Sequence, residues 1–115
     1  MRNLKEARTF SPIDRDILRE AREVVLRLLP DAQVVLYGSV ARGTQTSDSD
    51  YDILVLTEKG LTAREEDVIR DALYDVQLPK GIMISSQFCS RREWETPMVQ
   101  VSPFYREVER DGVVL

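Results

Sequence analysis

Two aspartates, Asp50 and Asp52, stand just before the hydrophobic run at residues 53–56. Residues two apart in a β-strand share a face, so the spacing predicts that both carboxylates project together at the start of a strand. Like charges placed this close call for a cation, and hard carboxylate oxygens suit Mg²⁺ or Mn²⁺ that also coordinates substrate phosphates. The pair is therefore a candidate metal site.

A second group of residues precedes the aspartates in a stretch rich in Gly, Ser and Thr at residues 38–49. Gly38 lets the backbone turn without a Cβ. The N–H groups that follow Ser39 are placed to bind phosphate oxygens at a helix start, with the Ser39 hydroxyl as an extra donor. The two groups together predict one site, with a metal on one side and phosphates on the other.

The composition limits the chemistry further. The chain has no histidine, which excludes His general-base catalysis, Ser-His-Asp and Cys-His hydrolysis, and zinc sites that need imidazole. Its single cysteine, Cys89, cannot form an internal disulfide. Sixteen basic against twenty acidic residues give a net charge of −4, so direct binding to nucleic acid or to a membrane is not expected. No apolar stretch approaches the roughly 18 residues that span a bilayer, and none resembles a signal peptide, so a cytoplasmic location is expected.

The length of 115 residues and the 43% hydrophobic content predict a single domain over residues 11–115. Residues 1–10 are polar, mixed in charge and without an apolar period, which predicts a flexible N-terminal arm. Helices are predicted to begin where a hydroxyl residue suits the N-cap position, at Ser11, Thr62, Ser90 and Ser102.

Strands are predicted from β-branched and aromatic content at residues 34–37, 51–56 and 82–88, with a terminal strand or packed tail at 113–115. The loop at 38–49 is predicted to include one short helical turn. The order α, β, β, α, β, α, α predicts an α+β fold with a small mixed sheet flanked by helices and covered mainly on one face.

Three local alternatives remain open for these motifs. Residues 48–59 resemble the start of an EF-hand loop, but position six is Ile53 instead of Gly and position twelve is Lys59 instead of Glu. Residues 38–43 have the glycine spacing of a P-loop, yet Thr44 stands where the phosphate-binding Lys must be. Ordinary turn residues and solvated charges are the third interpretation.

The segments GSVARG at 38–43 and SDSDYDILV at 47–55 resemble the nucleotidyltransferase signature of the DNA polymerase β superfamily. The short length is similar to that of its minimal nucleotidyltransferases, and residues 102–114 resemble the way in which minimal members end. The resemblance implies the DNA polymerase β-like nucleotidyltransferase fold.

The resemblance also implies roles for individual residues. Gly38 and Ser39 would hold the β- and γ-phosphates of a nucleotide, and Asp50 and Asp52 would ligate one or two Mg²⁺ ions, with Mn²⁺ as an alternative. Arg42 would reach a triphosphate oxygen, whereas a surface position or an internal salt bridge explains this residue equally well.

Active members of the superfamily usually add a third carboxylate on a later strand. The strand predicted at 82–88 holds no Asp or Glu. Ser85 and Gln87 are candidates to bind metal weakly or through water, but neither side chain can act as a carboxylate base.

The activity that the resemblance implies is a Mg²⁺-dependent transfer of AMP from ATP, or of another nucleotide, to an acceptor hydroxyl on a partner protein. Minimal members pair with small helical proteins of the HEPN class, often as the antitoxin of a toxin–antitoxin pair. A catalytically weakened module that binds nucleotide, metal or partner is the main alternative, and a homo-oligomer also remains open. Modification of a small molecule such as an aminoglycoside is a weaker alternative, because larger members carry an extra domain that holds the drug.

Overall fold

The computed structural model describes all of residues 1–115. The helices are α1 Pro12–Leu28, α2 Gly38–Arg42, α3 Ala63–Lys80, α4 Arg91–Trp94, α5 Pro97–Gln100 and α6 Pro103–Asp111. The strands are β1 Arg2–Asn3, β2 Gln33–Tyr37, β3 Tyr51–Thr57, β4 Ile84–Ser90 and β5 Val113–Val114. The predicted α+β architecture is confirmed. None of the helices combines the length and the apolar character needed to span a membrane.

The strands form one five-stranded mixed sheet in the order β1-β5-β2-β3-β4. β2 runs antiparallel to β3 and β5, whereas β4 runs parallel to β3 and β1 runs parallel to β5. Because β2 and β3 are antiparallel, the end of β2 lies beside the start of β3. Asp52 is therefore paired with Tyr37 on one side and with Ser85 of β4 on the other.

Alternation along β2 and β3 divides the core into two parts. The first face of the sheet carries Leu36, Ile53 and Val55 and is covered by α1 and α3. The second face carries Val35 and Leu54 and is covered by residues of α4 and α6. All five of these strand side chains have 0% of their surface exposed. The prediction of a sheet covered mainly on one face is wrong, because the short C-terminal helices cover the other face.

Aromatic residues of the C-terminal helices build this second cover. Trp94 is buried and packs edge-on against Phe104, with ring centroids 6.0 Å apart, and Phe104 packs edge-on against Tyr37 at 5.2 Å. The sequence leaves Trp94 and Phe104 open as core or as an exposed patch; Trp94 is a core residue, and Phe104 is partly buried against it. Met98, by contrast, is 83% exposed.

The helix starts that the sequence predicts are confirmed. The Ser11 hydroxyl accepts the Asp14 N–H at 3.1 Å at the start of α1. Thr62 and Glu65 form a reciprocal capping box at the start of α3, with bonds of 3.1 and 3.0 Å. Such bonds satisfy N–H groups that have no partner within the helix.

Strand boundaries differ from the predictions by one or two residues: β2 begins at Gln33, β3 ends at Thr57 and β4 ends at Ser90. β4 begins at Ile84 instead of residue 82, because the Ile82 N–H bonds to the Gln77 carbonyl at the end of α3 and so belongs to the turn. Residues 1–10 lie against the domain: Arg2 is paired with Val113, and Phe10 is 2% exposed. This differs from the predicted flexible arm because backbone pairing and one aromatic side chain hold the segment, and neither produces an apolar period in the sequence.

Candidate active site

The sheet brings Asp50, Asp52 and Ser85 together. Asp52 and Ser85 are register partners on neighbouring parallel strands, and side chains in register share a face of the sheet. The Ser85 hydroxyl donates a hydrogen bond to Asp50 Oδ2 at 3.0 Å. Both aspartates therefore lie beside Ser85, at the start of β3 and on the second face of the sheet.

Gly38 brings the turn after β2 onto Asp52. Its φ of +76° lies in the left-handed region that favours glycine. A Cβ built on Gly38 would overlap the Asp52 carboxylate. Only glycine allows this close approach, so the structure places Gly38, the first residue of α2, against Asp52.

The electrostatics of Asp52 are unfavourable in the protein alone. Burial raises the pKa of this carboxyl above its ordinary value, the charges of Asp50 and Glu107 raise it further, and Arg42 opposes the rise. No protein group donates a hydrogen bond to Asp52. Burial also raises the pKa of the nearby Tyr37 hydroxyl to about 12, with Asp52 and Glu107 adding to the effect. The site therefore carries excess negative charge that a cation would neutralise.

The donor atoms fit a hard divalent cation. Two carboxylates and one hydroxyl are the oxygen ligands that Mg²⁺ and Mn²⁺ prefer, with the remaining positions left for water and phosphate oxygens. No set of three Asp, Glu or Cys side chains lies close enough to share one metal ion. β4 holds no carboxylate, as the sequence predicts, and Ser85 stands beside Asp52 on that strand.

Arg42 lies against the C-terminal helix. Its guanidinium is 3.5 Å from Glu107 Oε1 and 3.4 Å from Asp111 Oδ2. The hydrogen bond from Arg110 lowers the pKa of Asp111 most, and Arg42 contributes to the same shift. The structure thus gives Arg42 the internal salt bridge that is one of its sequence-level interpretations, and nucleotide binding by this residue stays a prediction.

Tyr51, which lies between the two aspartates, points to the first face of the sheet. Its hydroxyl donates to Asp14 Oδ1 at 2.6 Å, and Gln45 Nε2 donates to Asp14 Oδ2 at 3.3 Å. Asp14 is 8% exposed. Arg8 in turn donates to Gln45 Oε1 at 3.2 Å and to the Val40 carbonyl at 2.8 Å. This network attaches the loop and the start of β3 to α1 and to the N-terminal segment.

Sequence reasoning missed Asp14, Gln45, Arg8 and Glu107. Asp14 has the pattern of a first-turn helix charge, which is common at N-termini. Its bonds to Gln45 and Tyr51 span 31 and 37 residues of the chain, and no spacing rule reveals such pairs. Glu107 lies in the charged run at 106–111, where nothing distinguishes it from its neighbours.

Comparison with known proteins assigns the chain to a family. The family model described as "Nucleotidyltransferase domain" matches residues 18–99. The protein MJ0141 of Methanocaldococcus jannaschii, which is named as an inferred protein adenylyltransferase, is 32% identical over 72 residues. The match covers 61% of this chain and 73% of that protein.

Solved structures show the same fold. A protein assigned to the minimal nucleotidyltransferases has a TM-score of 0.58 at 24% identity, covering 94% of this chain and 100% of that one. A toxin–antitoxin crystal structure with AMP-PNP has a TM-score of 0.59 at 18% identity, covering 84% of this chain and 69% of that one. The fold is therefore that of the minimal nucleotidyltransferases, and the matched residues include both the Gly38-Ser39 turn and the aspartate pair. The chain belongs to the nucleotidyltransferase domain family.

Proposed function

We propose that the chain transfers AMP from ATP to a hydroxyl group of a partner protein in a Mg²⁺-dependent reaction, as the antitoxin of a HEPN-type toxin–antitoxin pair. The observation that carries the proposal is the position of Asp52. Its carboxylate is partly buried, repelled by two other carboxylates, without a hydrogen-bond donor, and in contact with the glycine turn. This arrangement costs stability unless a cation and a phosphate chain occupy the site.

Each residue has a defined task in this proposal. Asp50 and Asp52 bind the metal, and Ser85 holds the Asp50 carboxylate in place through its hydroxyl. Gly38 and Ser39 hold the β- and γ-phosphates, and Arg42 leaves Glu107 and Asp111 to reach a phosphate oxygen. Bound Mg²⁺ supplies charge stabilisation at the α-phosphate and at the leaving pyrophosphate.

The reaction forms one bond and breaks one. The acceptor hydroxyl oxygen attacks the α-phosphorus of ATP in line, and the bond between that phosphorus and the bridging α–β oxygen breaks. AMP remains on the acceptor oxygen, pyrophosphate leaves, and the hydroxyl proton passes to solvent. Since β4 offers Ser85 and Gln87 instead of a carboxylate, this chain provides no carboxylate base on that strand, and we expect slow turnover.

Two comparisons support a protein acceptor. MJ0141 is named for protein adenylylation, and two of the structural neighbours are toxin–antitoxin complexes, one with AMP-PNP and one a mutant of MntA–HpeT.

The second candidate function is a binding antitoxin that neutralises its partner without transfer. The observation that favours it is the uncharged β4 strand beside the aspartates, which leaves the metal with two carboxylates. In this case the nucleotide and the metal would stabilise the complex instead of reacting.

One experiment separates the two functions. The tagged protein is purified from its native cells with the proteins that bind it, and ATP labelled at the α-phosphate is added with Mg²⁺. We expect label on a co-purifying protein, lost with Asp52→Asn and kept with Asp48→Asn, a control aspartate whose side chain makes no hydrogen bond. A stable partner that takes no label, and whose toxicity the Asp52→Asn variant neutralises as well as the wild type does, would favour the binding antitoxin. This outcome would overturn the transferase proposal.

A further inference from the structure

β4 is an edge strand that carries no charge or proline of its own. It lies at the end of the sheet, next to β3 only. Its seven residues, Ile84–Ser90, include no charged residue and no proline. Natural edge strands are commonly protected by charges, prolines, bulges or covering elements, because free backbone groups are a template for another strand.

The hydrogen bonds show which backbone groups are free. The Tyr51 N–H bonds to the Met83 carbonyl at 2.9 Å, so residue 83 faces β3. Backbone groups alternate in direction along a strand, so Ser85 also faces β3, while Ile84, Ser86 and Phe88 direct their N–H and C=O groups to the open edge. The Ile84 N–H indeed bonds to Gln77 Oε1 of α3 at 3.1 Å. No other element supplies a partner for the outward groups of Ser86 and Phe88.

A partly apolar surface accompanies this edge. Tyr74 of α3 and Met83 are 53% and 58% exposed, and both line a cavity of about 540 Å³ that runs along β4. Arg70 stacks its guanidinium over the Phe88 ring, 5.0 Å from the centroid, and is paired with Glu66 at 3.3 Å. The charge of Arg70 is therefore compensated, whereas Asp71, which also lines the cavity, makes no ion pair, so the cavity disfavours a segment with acidic residues.

The cavity and the candidate active site share Ser85. This residue lines the cavity, and its hydroxyl bonds to Asp50 on the second face of the sheet. Neighbouring strands are about 4.8 Å apart. A strand added to β4 would therefore pass one strand spacing from Ser85 and about two, roughly 10 Å, from Asp52.

We propose that the open edge of β4 is the acceptor-docking surface: an extended, uncharged segment of the acceptor protein pairs with Ser86 and Phe88, which brings its hydroxyl-bearing residue to Asp50 and Asp52. The inference rests on the proposed function, since it names the way in which the acceptor reaches that site. Strand addition supplies affinity through main-chain bonds, and side-chain pockets supply specificity. Here the Tyr74–Met83 surface accepts an apolar side chain on the first face, while the hydroxyl lies on the second.

Ser86→Pro tests this directly. Proline removes the outward N–H of Ser86 and leaves the bonds of Ser85 and Gln87 to β3, which is the position where an edge tolerates proline. Ser86→Ala is the matched control, because it keeps the N–H. Gln87→Lys places a charge at the edge without changing the backbone and serves if proline disturbs the fold.

The probe is a set of uncharged octapeptides, each with one Ser, Thr or Tyr, added with Mg²⁺ and α-labelled ATP. Amide hydrogen exchange at Phe88 reports docking independently of transfer. We expect the peptides that take label to slow amide exchange at Phe88 at least tenfold in the wild type and in Ser86→Ala. In Ser86→Pro and Gln87→Lys, we expect this protection to be lost and peptide labelling to fall at least tenfold.

The outcomes separate docking from transfer. Protection at Phe88 without label would support docking and count against the proposed transferase. Equal labelling and protection in Ser86→Pro and Ser86→Ala, or no protection by any peptide, would overturn the docking proposal and leave the transferase proposal to its own test with the co-purified partner.

Discussion

The two faces of the sheet differ most at the start of β3, where Tyr51 and Asp52 point in opposite directions. On the first face, the Tyr51 hydroxyl and the Asp14 carboxylate satisfy each other at 2.6 Å, and Gln45 completes the bonding. On the second face, Asp52 has no donor, and the charges of Asp50 and Glu107 oppose its ionisation. Tyr51 is therefore in a satisfied polar network, whereas the adjacent Asp52 is in a repulsive one.

This difference indicates that the first face stabilises the fold, whereas the second face binds the ligands. Asp52 is only partly buried, but its carboxylate is repelled by its neighbours and has no protein donor, and perturbed carboxylates of this kind are candidates for functional sites. The first face fixes the backbone of residues 50–52 so that the second face can keep an unfavourable charge arrangement. We expect changes on the first face to affect mainly stability, and changes on the second to affect mainly metal binding and transfer.

Asp52→Asn should have the largest effect. Removing a metal ligand should lower the rate of nucleotidyl transfer by more than the ~100-fold typical of groups that merely orient a ligand. It should also raise the midpoint of thermal unfolding of the metal-free protein, because it removes a charge that burial and Asp50 oppose. Transfer assays and thermal unfolding without metal measure both effects, and a stability that falls would contradict the comparison.

Gly38→Ala should be next. The alanine pays the cost of φ +76° and its Cβ also collides with the Asp52 carboxylate. Gly81→Ala is the matched control, because Gly81 has φ +63° but open space around its Cβ position. We expect about 1–2 kcal/mol of destabilisation for Gly81→Ala from strain alone, and roughly 1–3 kcal/mol more for Gly38→Ala from overpacking.

Denaturant unfolding measures the free energy of unfolding of the two glycine variants. Transfer assays measure whether each variant keeps nucleotidyltransferase activity. Gly81→Ala should keep activity, and Gly38→Ala should lose it, because the displaced carboxylate is a proposed metal ligand. Equal unfolding free energies for the two variants would show that the close approach of Gly38 to Asp52 is not important.

Tyr51→Phe should destabilise the protein by about 1–3 kcal/mol, because the buried Asp14 carboxylate loses its shortest hydrogen bond. Tyr74→Phe is the control: that side chain is 53% exposed and its hydroxyl makes no hydrogen bond, so its effect should stay within about 0.5 kcal/mol. Urea unfolding of both variants checks the difference. If Tyr51→Phe instead impaired metal binding at unchanged stability, the division of roles between the two faces would be wrong.

Ser85→Ala should have the smallest effect, a loss of about 0.5–1.5 kcal/mol for one partly exposed hydrogen bond to Asp50. Metal affinity should fall by about 10-fold, since Ser85 orients a ligand. Ser85→Thr keeps the hydroxyl and should restore the affinity. Calorimetric titration with Mn²⁺ distinguishes the variants, and an unchanged affinity in Ser85→Ala would exclude this role.

The sequence predicted those parts of the fold that depend on local patterns. Ser11 and Thr62 cap their helices as expected because capping depends on residues three positions apart. The position of Asp50 and Asp52 at the start of a strand followed from alternation and a hydrophobic run. The missing carboxylate on β4 was also visible, because it is a matter of residue type.

The parts that could not be predicted depend on long-range placement. Arg42 pairs with Glu107 and Asp111 near the other end of the chain, and 69 positions separate it from Asp111. The pairing of Arg2 with Val113 likewise joins the two ends of the sequence. The second cover of the sheet comes from helices of four to nine residues, and its contacts, such as that between Phe104 and Tyr37, join residues far apart in the sequence.

The central claim is that Asp52 and its neighbours bind a metal–nucleotide complex. The most direct test is the midpoint of thermal unfolding with ATP present, measured with and without Mg²⁺ for the wild type, Asp52→Asn and the control Asp48→Asn. Ligands that bind the folded state raise this midpoint. We predict that Mg²⁺ raises it for the wild type and for Asp48→Asn and leaves Asp52→Asn unchanged. An equal rise in all three proteins would contradict the account.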